Sequence, residues 1–325
     1  MMKHKRLLQT ILVFAFSWLP AMNLGAQDQH VICVVGAAGT EEYGKQFQGW
    51  ATQIREVCTD PNLPNSIPIT MIGLEKAEST DLELLKTAIE STATNVSELW
   101  VILLGHGTDD RKFTKFNLKG PDVSAMQMKG WLAGLKCKTI LVNCSSSSGP
   151  FIQKLKGKNR VIVTATKSGA QMNFARFGSH LVSAIADPSL DLDKDNQTSL
   201  LEAFIGASAR TQEFYEQETR LSTELAMIDD NGDGLGTPAD WFEGTRVIKK
   251  PKSGKADGIA ANQVFLIRRG EEAKLTPEQR STRDELERKL ELWRAKKSRM
   301  NEEDYFKTIE PILLELAKLY REVGK

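Results

Sequence analysis

Residues 99–110, LWVILLGHGTDD, and residues 139–149, TILVNCSSSSG, decide the fold of this chain. Each stretch begins as an unbroken apolar run and ends abruptly in small and polar residues. Apolar runs without polar alternation are typical of parallel strands that helices cover on both faces. The two stretches therefore predict strands of an α/β sheet, with His106 and Cys144 at their carboxyl ends.

Further apolar runs and helical segments alternate on both sides of this pair. Four more strands are predicted, at 30–36, 67–73, 160–165 and 263–268. Helical spacing is found at 43–58, 81–91, 124–135, 151–156, 172–187 and from 200 to about 227. This alternation predicts an α/β sandwich with a mostly parallel six-stranded sheet.

The composition is that of an ordinary globular protein, with 41% hydrophobic and 26% charged residues in 325. Its 43 basic and 42 acidic residues nearly cancel, so nucleic acid is not expected as a partner. Four cysteines are too few for a disulfide-built scaffold of this length. We therefore expect the stability to come from a hydrophobic core.

The N-terminal 26 residues have the layout of a secretory signal peptide. Basic residues 3–6 precede an apolar stretch at 7–19, and small residues close the segment at Ala26. The alternative is a membrane anchor, but Pro20 interrupts a stretch already shorter than the roughly 20 residues of a span. We expect a secreted or periplasmic protein without membrane contact after cleavage.

The last 55 residues, 271–325, are expected to form a separate helical hairpin behind a main domain at 27–270. Thr276, Pro277 and Glu278 together are typical of a helix start. Apolar residues at helical spacing then predict two antiparallel helices, at 277–297 and from about 301 to 323.

The two strand ends carry the residue types of thiol catalysis. A thiolate at Cys144 is a good nucleophile, and the His106 imidazole can accept its proton. The backbone N–H groups of Gly107 and Cys144 would be natural donors to a tetrahedral oxyanion. The alternative is that Cys144 is a small buried apolar residue, as we expect for Cys33 and Cys137.

These motifs resemble the caspase-fold (clan CD) cysteine peptidases, and among them most the legumain family. The resemblance covers residues 29 to 270 and implies His106 as general base, Cys144 as nucleophile, and a last strand antiparallel to the rest. It implies a protein or peptide substrate and no cofactor for catalysis. Asn143 and the serine run 145–148 depart from the legumain motif, so asparagine specificity does not follow.

In this fold the specificity pocket draws on the loops after the first and fifth strands. Here these loops contain Glu41 and Glu42 on one side, and Lys167 and Ser168 on the other. Because acidic residues lie on one side of the pocket and a lysine lies on the other, these charges do not indicate whether acidic or basic substrate side chains are preferred.

Two acidic loops, 191–202 and 229–240, have the spacing of twelve-residue calcium loops. The candidate ligands are Asp191, Asp193, Asp195 and Glu202 in the first loop, and Asp229, Asn231, Asp233, Leu235 and Asp240 in the second. A structural Ca²⁺ ion is one interpretation, and solvated turns that cap helices are the other.

Together these patterns predict an exported cysteine endopeptidase that cleaves peptide bonds through a thioester. Two alternatives stay open. One is a binding or scaffold protein on the same fold without catalysis, and the other is an acyl transferase in which an amine resolves the thioester. The sequence assigns no oligomeric state.

Overall fold

The computed structural model describes residues 27–323 except 65 and 93. The predicted signal peptide, 1–26, lies outside the described residues. In the part of the chain that is described, no helix combines the length and apolar character needed to cross a membrane.

The described chain contains twelve strands and eight α-helices. The strands are β1 (Gln27–Val35), β2 (Ile69–Ile72), β3 (Val96–Leu104), β4 (Gly107–Asp109), β5 (Thr114–Phe116), β6 (Val123–Ser124), β7 (Lys138–Asn143), β8 (Arg160–Thr164), β9 (Met227–Asp229), β10 (Thr237–Pro238), β11 (Phe242–Glu243) and β12 (Arg246–Val247). The helices are α1 (Glu41–Cys58), α2 (Asp81–Thr92), α3 (Ala125–Trp131), α4 (Pro150–Leu155), α5 (Phe177–Ala184), α6 (Leu200–Gln217), α7 (Pro277–Arg294) and α8 (Glu302–Val323).

Seven strands form the central sheet, in the order β10-β9-β8-β7-β3-β1-β2. Five of them, β2, β1, β3, β7 and β8, are parallel, and β9 and β10 continue the sheet in antiparallel pairing. The predicted α/β sandwich with a mostly parallel sheet and C-terminal helices is confirmed, but the sheet has seven strands where six were predicted.

Both faces of the sheet are buried, which explains the unbroken apolar runs. In β1, Val31, Cys33 and Val35 pack on the side of α1, α5 and α6, whereas Ile32 and Val34 pack on the side of α2, α3 and α4. Successive side chains of a strand point to opposite faces, so every position of such a strand must be apolar. The result is three layers, helix on sheet on helix.

The predicted strand at 263–268 is wrong. Its apolar residues are buried, but its backbone does not pair with the sheet. The Val264 carbonyl accepts a hydrogen bond from the Leu200 N–H at the start of α6, and the Leu266 carbonyl accepts one from the Gln29 side chain. Two of the carbonyl groups of this segment are therefore satisfied without a strand.

The strand that follows β8 in the sheet is instead β9, at a place where the sequence predicts the end of a long helix. That helix, α6, ends at Gln217, ten residues earlier than predicted. The last strands are antiparallel, as the resemblance implied, but they lie at 227–229 and 237–238.

The predicted helical hairpin is present as α7 and α8, with Leu290, Tyr305 and Ile309 at its own small core. Ion pairs join it to the rest of the chain. Arg283 of α7 contacts Glu272 at 2.6 Å, and Lys138 of β7 contacts Asp284 at 3.2 Å. Arg283 and Glu272 are only 4% and 3% exposed, so this pair is buried.

We predict that Arg283→Ala lowers the free energy of unfolding by about 3–5 kcal/mol, because it leaves the buried Glu272 carboxylate without its partner. Arg294→Ala removes an exposed pair with Glu291 and is expected to cost at most about 1 kcal/mol. Urea denaturation followed by circular dichroism measures both values. Equal losses in the two variants would contradict a stabilising role for the buried pair.

Candidate active site

The structure brings the predicted base and nucleophile to one edge of the sheet. Strands β3 and β7 are neighbours, and Leu103 pairs with Asn143 in their register. His106 follows two residues after the end of β3, and Cys144 follows β7 directly. The carboxyl ends of parallel strands, where functional groups collect in α/β proteins, therefore hold both residues.

The His106 ring is half-buried among aromatic side chains. It packs edge-on against Tyr43 and Phe47 of α1, with centroid distances of 5.1 and 5.2 Å, and its Nε2 lies 3.2 Å from the Ala38 carbonyl oxygen. Burial lowers the pKa of His106, and the hydrogen bond to Ala38 partly opposes this shift. The imidazole is therefore neutral near pH 7, the state that a base needs.

The Cys144 side chain lies in the hydrophobic core and is 1% exposed. A Cβ atom placed on Gly178 of α5 would lie 2.8 Å from Cys144 Cβ and 3.0 Å from the Trp50 ring, so no space separates these groups. Burial, with a smaller effect from the charge of Glu224, raises the pKa of the Cys144 thiol to about 12. The thiol is therefore protonated at neutral pH.

The predicted oxyanion hole is not formed in this structure. The Cys144 N–H donates to the Leu103 carbonyl at 2.9 Å, which continues the pairing of β7 with β3. The Gly107 N–H donates to Ser146 Oγ at 3.3 Å. Both donors are thus engaged within the protein, which corrects the expectation that they face a substrate.

The four serines at 145–148 are buried and form hydrogen bonds that link neighbouring strand ends at this edge. Ser145 Oγ donates to Asn143 Oδ1 at 2.6 Å, and Ser146 Oγ donates to the Gly107 carbonyl at 3.2 Å. Ser148 Oγ lies 3.1 Å from Thr166 Oγ1, in the turn after β8. The serine run therefore connects the ends of β3, β7 and β8.

Two buried polar atoms at this edge have no hydrogen-bond partner among the described residues: Asn143 Nδ2 and Ser147 Oγ. Ser147 also has a φ of 52°, which is unusual for a residue with a side chain. Unpaired buried polar groups cost free energy, so each of these two atoms calls for a structural or functional explanation.

The four predicted substrate-binding residues are exposed and make local contacts. Glu41 pairs with Lys45 at 2.7 Å, and Glu42 accepts a hydrogen bond from Gln46, both within α1. The N–H groups of Lys167 and Ser168 donate to Gln171 Oε1, within one turn.

The residues that surround His106 were missed by the sequence analysis. Phe174 stacks on Tyr43 at a centroid distance of 4.4 Å, and the Arg176 guanidinium lies over the Phe174 and Phe214 rings at 5.2 and 4.6 Å. Residues 174 and 176 fall in the segment predicted as helix 172–187, but α5 begins only at Phe177. The spacing of apolar residues in this segment predicts a helix. It does not predict that residues 174 and 176 lie in an irregular segment that faces α1.

A cavity of about 1340 Å³ lies elsewhere, between the hairpin and the first acidic loop. Its lining includes Asp193, Arg283, Glu287 and Tyr305, with no group of the His106 edge. We place the candidate active site at the strand ends because the chemistry-bearing residues are there.

The first acidic loop brings three of its predicted ligands together. Oxygen atoms of Asp191, Asp193 and Asp195 lie within 4.8 Å of one another. Partial burial and the neighbouring carboxylates raise the pKa of Asp195 to about 6. Glu202, at the predicted bidentate position, instead accepts hydrogen bonds from the N–H groups of Leu192, Asp193 and Ser199.

The second acidic loop does not gather its predicted ligands in the same way. Both Asp229 oxygens accept backbone N–H groups, from Gly232 and Gly234. Asn231 and Asp233 accept N–H groups at 2.9 and 2.7 Å, from Asp233 and Leu235 respectively. Asp240 pairs with Lys249 on the surface. This loop is therefore organised by its own backbone.

No protein-family model and no curated protein matches the chain. Among solved structures, the crystal structure of the Drosophila initiator caspase Dronc is similar, with 12% sequence identity and a TM-score of 0.43. The match covers 66% of this chain and 83% of that one.

We predict that Cys144 reacts slowly with iodoacetamide in the native protein. Because burial raises the pKa of the Cys144 thiol to about 12, its ionised fraction at pH 7 is far below the few per cent of an exposed cysteine. Site-resolved mass spectrometry against pH, with a urea-unfolded control, measures the rate. Rapid labelling of Cys144 near pH 7 would contradict the core placement.

We predict that Ca²⁺ at about 1–5 mM raises the melting temperature by about 2 °C or more, because a cation would neutralise the three carboxylates of the first loop. Asp193→Asn should remove the shift and Asp240→Asn should keep it. Differential scanning calorimetry in calcium and in chelator makes the comparison. Identical melting curves for the unaltered protein would show that no such ion stabilises it.

Proposed function

We propose that this caspase-like domain binds an extended polypeptide segment at the carboxyl edge of its sheet and does not cleave it through Cys144. The observation that carries this proposal is the placement of Cys144. Cys144 is 1% exposed, it belongs to the core cluster that also contains Trp50, and its Cβ lies beside Gly178. Its N–H pairs with the Leu103 carbonyl. A nucleophile must reach the substrate as a thiolate, and this one is buried and protonated.

Several groups at the edge are suited to hold a polypeptide. His106, Tyr43 and Phe174 are half-buried and present aromatic surface, which contributes strongly to peptide binding.

The charge at the edge favours a carboxylate on the bound segment. The Arg176 guanidinium lies over two aromatic rings and forms no salt bridge with the described residues. The Glu224 carboxylate is nearby and accepts a hydrogen bond from the Arg176 backbone N–H at 2.8 Å. An unpaired guanidinium readily binds a carboxylate in bidentate geometry. We therefore infer a preference for acidic over neutral peptides.

A cysteine endopeptidase with His106 as base and Cys144 as nucleophile is the second candidate. It is favoured by one observation, the position of the two residues just past the ends of paired strands. This mechanism requires Cys144 to leave the core and both predicted oxyanion donors to be released. Hydrolysis of the thioester would give a peptidase, and attack by an amine would give an acyl transferase.

Export belongs to the same proposal and rests on residues 1–26. A mature chain from residue 27 would meet its polypeptide partner outside the cytoplasm. The proposal includes neither nucleic acid nor membrane as a partner.

Peptide turnover and peptide binding together separate the two candidates. We predict that the protein and its Cys144→Ala variant give the same product pattern by mass spectrometry with a mixed-sequence peptide library. We also predict that fluorescence polarisation detects acidic labelled peptides, and that Arg176→Ala weakens their binding about tenfold, the effect of losing one charge-assisted contact of about 1.4 kcal/mol. Arg220→Ala, on an exposed residue, is the matched control.

Cleavage that disappears in Cys144→Ala would establish the endopeptidase and overturn our proposal. Absence of binding for every acidic and neutral peptide would also overturn it.

A further inference from the structure

We propose that helix α8 is a dimerisation surface, on which a second copy of this chain packs its own α8 in antiparallel orientation. The partner is a second copy because the exposed side of α8 is complementary to itself in shape of pattern and in charge. This inference concerns the C-terminal hairpin and does not rest on the polypeptide-binding proposal for the sheet edge.

Helix α8 is apolar on two sides, and the hairpin covers only one of them. The covered side packs on α7 and includes Tyr305 and Ile309. Three further apolar side chains of α8 remain exposed: Phe306 by 48%, Leu313 by 44% and Leu314 by 63%. A surface helix normally carries one apolar stripe for one packing partner, so a second stripe indicates a second partner.

The exposed side chains lie on one side of the helix, which we call the 303–321 stripe. Residues three or four positions apart are neighbours on a helix surface, and the stripe follows this spacing. Its members are all exposed, namely Glu303, Phe306, Glu310, Leu313, Leu314, Ala317 and Arg321. The two leucines therefore form an apolar centre close to the middle of α8 (Glu302–Val323).

The two halves of the 303–321 stripe carry opposite charges. Glu303 and Glu310 lie in its N-terminal half, whereas Arg321 lies in its C-terminal half. Glu303 pairs with Lys307, but Glu310 and Arg321 form no salt bridge with the described residues. The charges at 310 and 321 are thus available to the opposite charges of another copy.

Antiparallel pairing fits both the apolar centre and the charged halves. With a two-fold axis between 313 and 314, residues at equal distance from the axis face each other, so Leu313 meets Leu314 of the second copy. Arg321 then meets Phe306, with Glu310 of that same helix about 6 Å farther along its axis. Parallel pairing would instead place Glu310 beside Glu310 and Arg321 beside Arg321.

Two hairpins joined in this way form a four-helix bundle, in which each α8 packs on its own α7 and on the other α8. The contact uses one face of one helix from each copy, so the interface is small and the dimer is reversible. We expect mainly dimer at about 100 µM chain and mainly monomer at about 1 µM, as for weak complexes with small interfaces.

Sedimentation of the full chain over this concentration range measures the dimer. Leu313→Asp combined with Leu314→Asp should weaken dimerisation at least about 100-fold, because the contact would bury charged groups in its apolar centre. Leu235→Asp is the matched control, since Leu235 is 49% exposed in the turn between β9 and β10 and should leave the dimer intact. Circular dichroism checks the fold of each variant.

A charge exchange tests the antiparallel register. Glu310→Lys alone should weaken the dimer about tenfold, because it places a lysine beside Arg321 of the second copy. Arg321→Glu alone should weaken it by a similar factor. Both substitutions in one chain should restore the dimer, since opposite charges face each other again, whereas a variant that is only destabilised would not be rescued.

A protein that stays monomeric at about 100 µM would overturn the inference, and the 303–321 stripe would then belong to a different partner. A dimer that Leu313→Asp with Leu314→Asp does not weaken would place the contact elsewhere and also overturn it. Failure of the double charge exchange to restore the dimer would refute the antiparallel orientation. None of these results bears on the polypeptide-binding proposal, which is tested separately with labelled peptides.

Discussion

The hydrogen bond from the Cys144 N–H to the Leu103 carbonyl is the constraint on which the candidate site depends. It extends the parallel pairing of β3 and β7 one residue beyond the last strand position. Because side chains alternate with a period of two, this pairing continues the alternation of β7 and keeps Cys144 in the same core cluster as Ile140 and Val142. A shift of one residue would move Cys144 to the other face of the sheet.

The strands that carry the site could be predicted from the sequence because each is covered on both faces. Apolar runs such as 99–104 and 139–142 have no polar face, so they do not fit a surface helix or a half-exposed strand. The structure places both runs in the centre of the sheet. The run at 263–268 is also mainly apolar. Hydropathy indicates that its side chains are buried, but it does not indicate which group its backbone N–H groups bond to. Strand β9, only three residues long, offers too short a pattern to be distinguished from the end of a helix.

For the same reason the sequence located the site but not the orientation of its side chains. That His106 and Cys144 end neighbouring strands follows from the order of the runs. The sequence does not show which residue is the last to pair with the neighbouring strand. In the polar strand end NCSSSS, no change from apolar to polar residues separates the core-facing positions from the turn-facing ones. The neighbour Phe174 could not be predicted for a related reason, since it lies in a loop whose path depends on tertiary packing.

Polar contacts also explain why the 262–268 segment stays out of the sheet. Asn262 contacts Asp193 of the first acidic loop at 3.0 Å, and Gln263 donates to Glu287 of α7 at 3.0 Å. The segment thus joins the acidic loop to the hairpin, and pairing with the sheet would break these contacts.

Close packing makes the orientation of Cys144 costly to reverse. Cys144 is 1% exposed, and its Cβ lies so close to Gly178 that a side chain there would not fit. Moving Cys144 out of this site would empty part of the core, and an emptied core site adds a cavity cost of its own. Thiol catalysis would have to meet this cost before Cys144 reached a substrate, whereas polypeptide binding at the edge leaves the core unchanged. The packing around Cys144 therefore favours polypeptide binding over thiol catalysis.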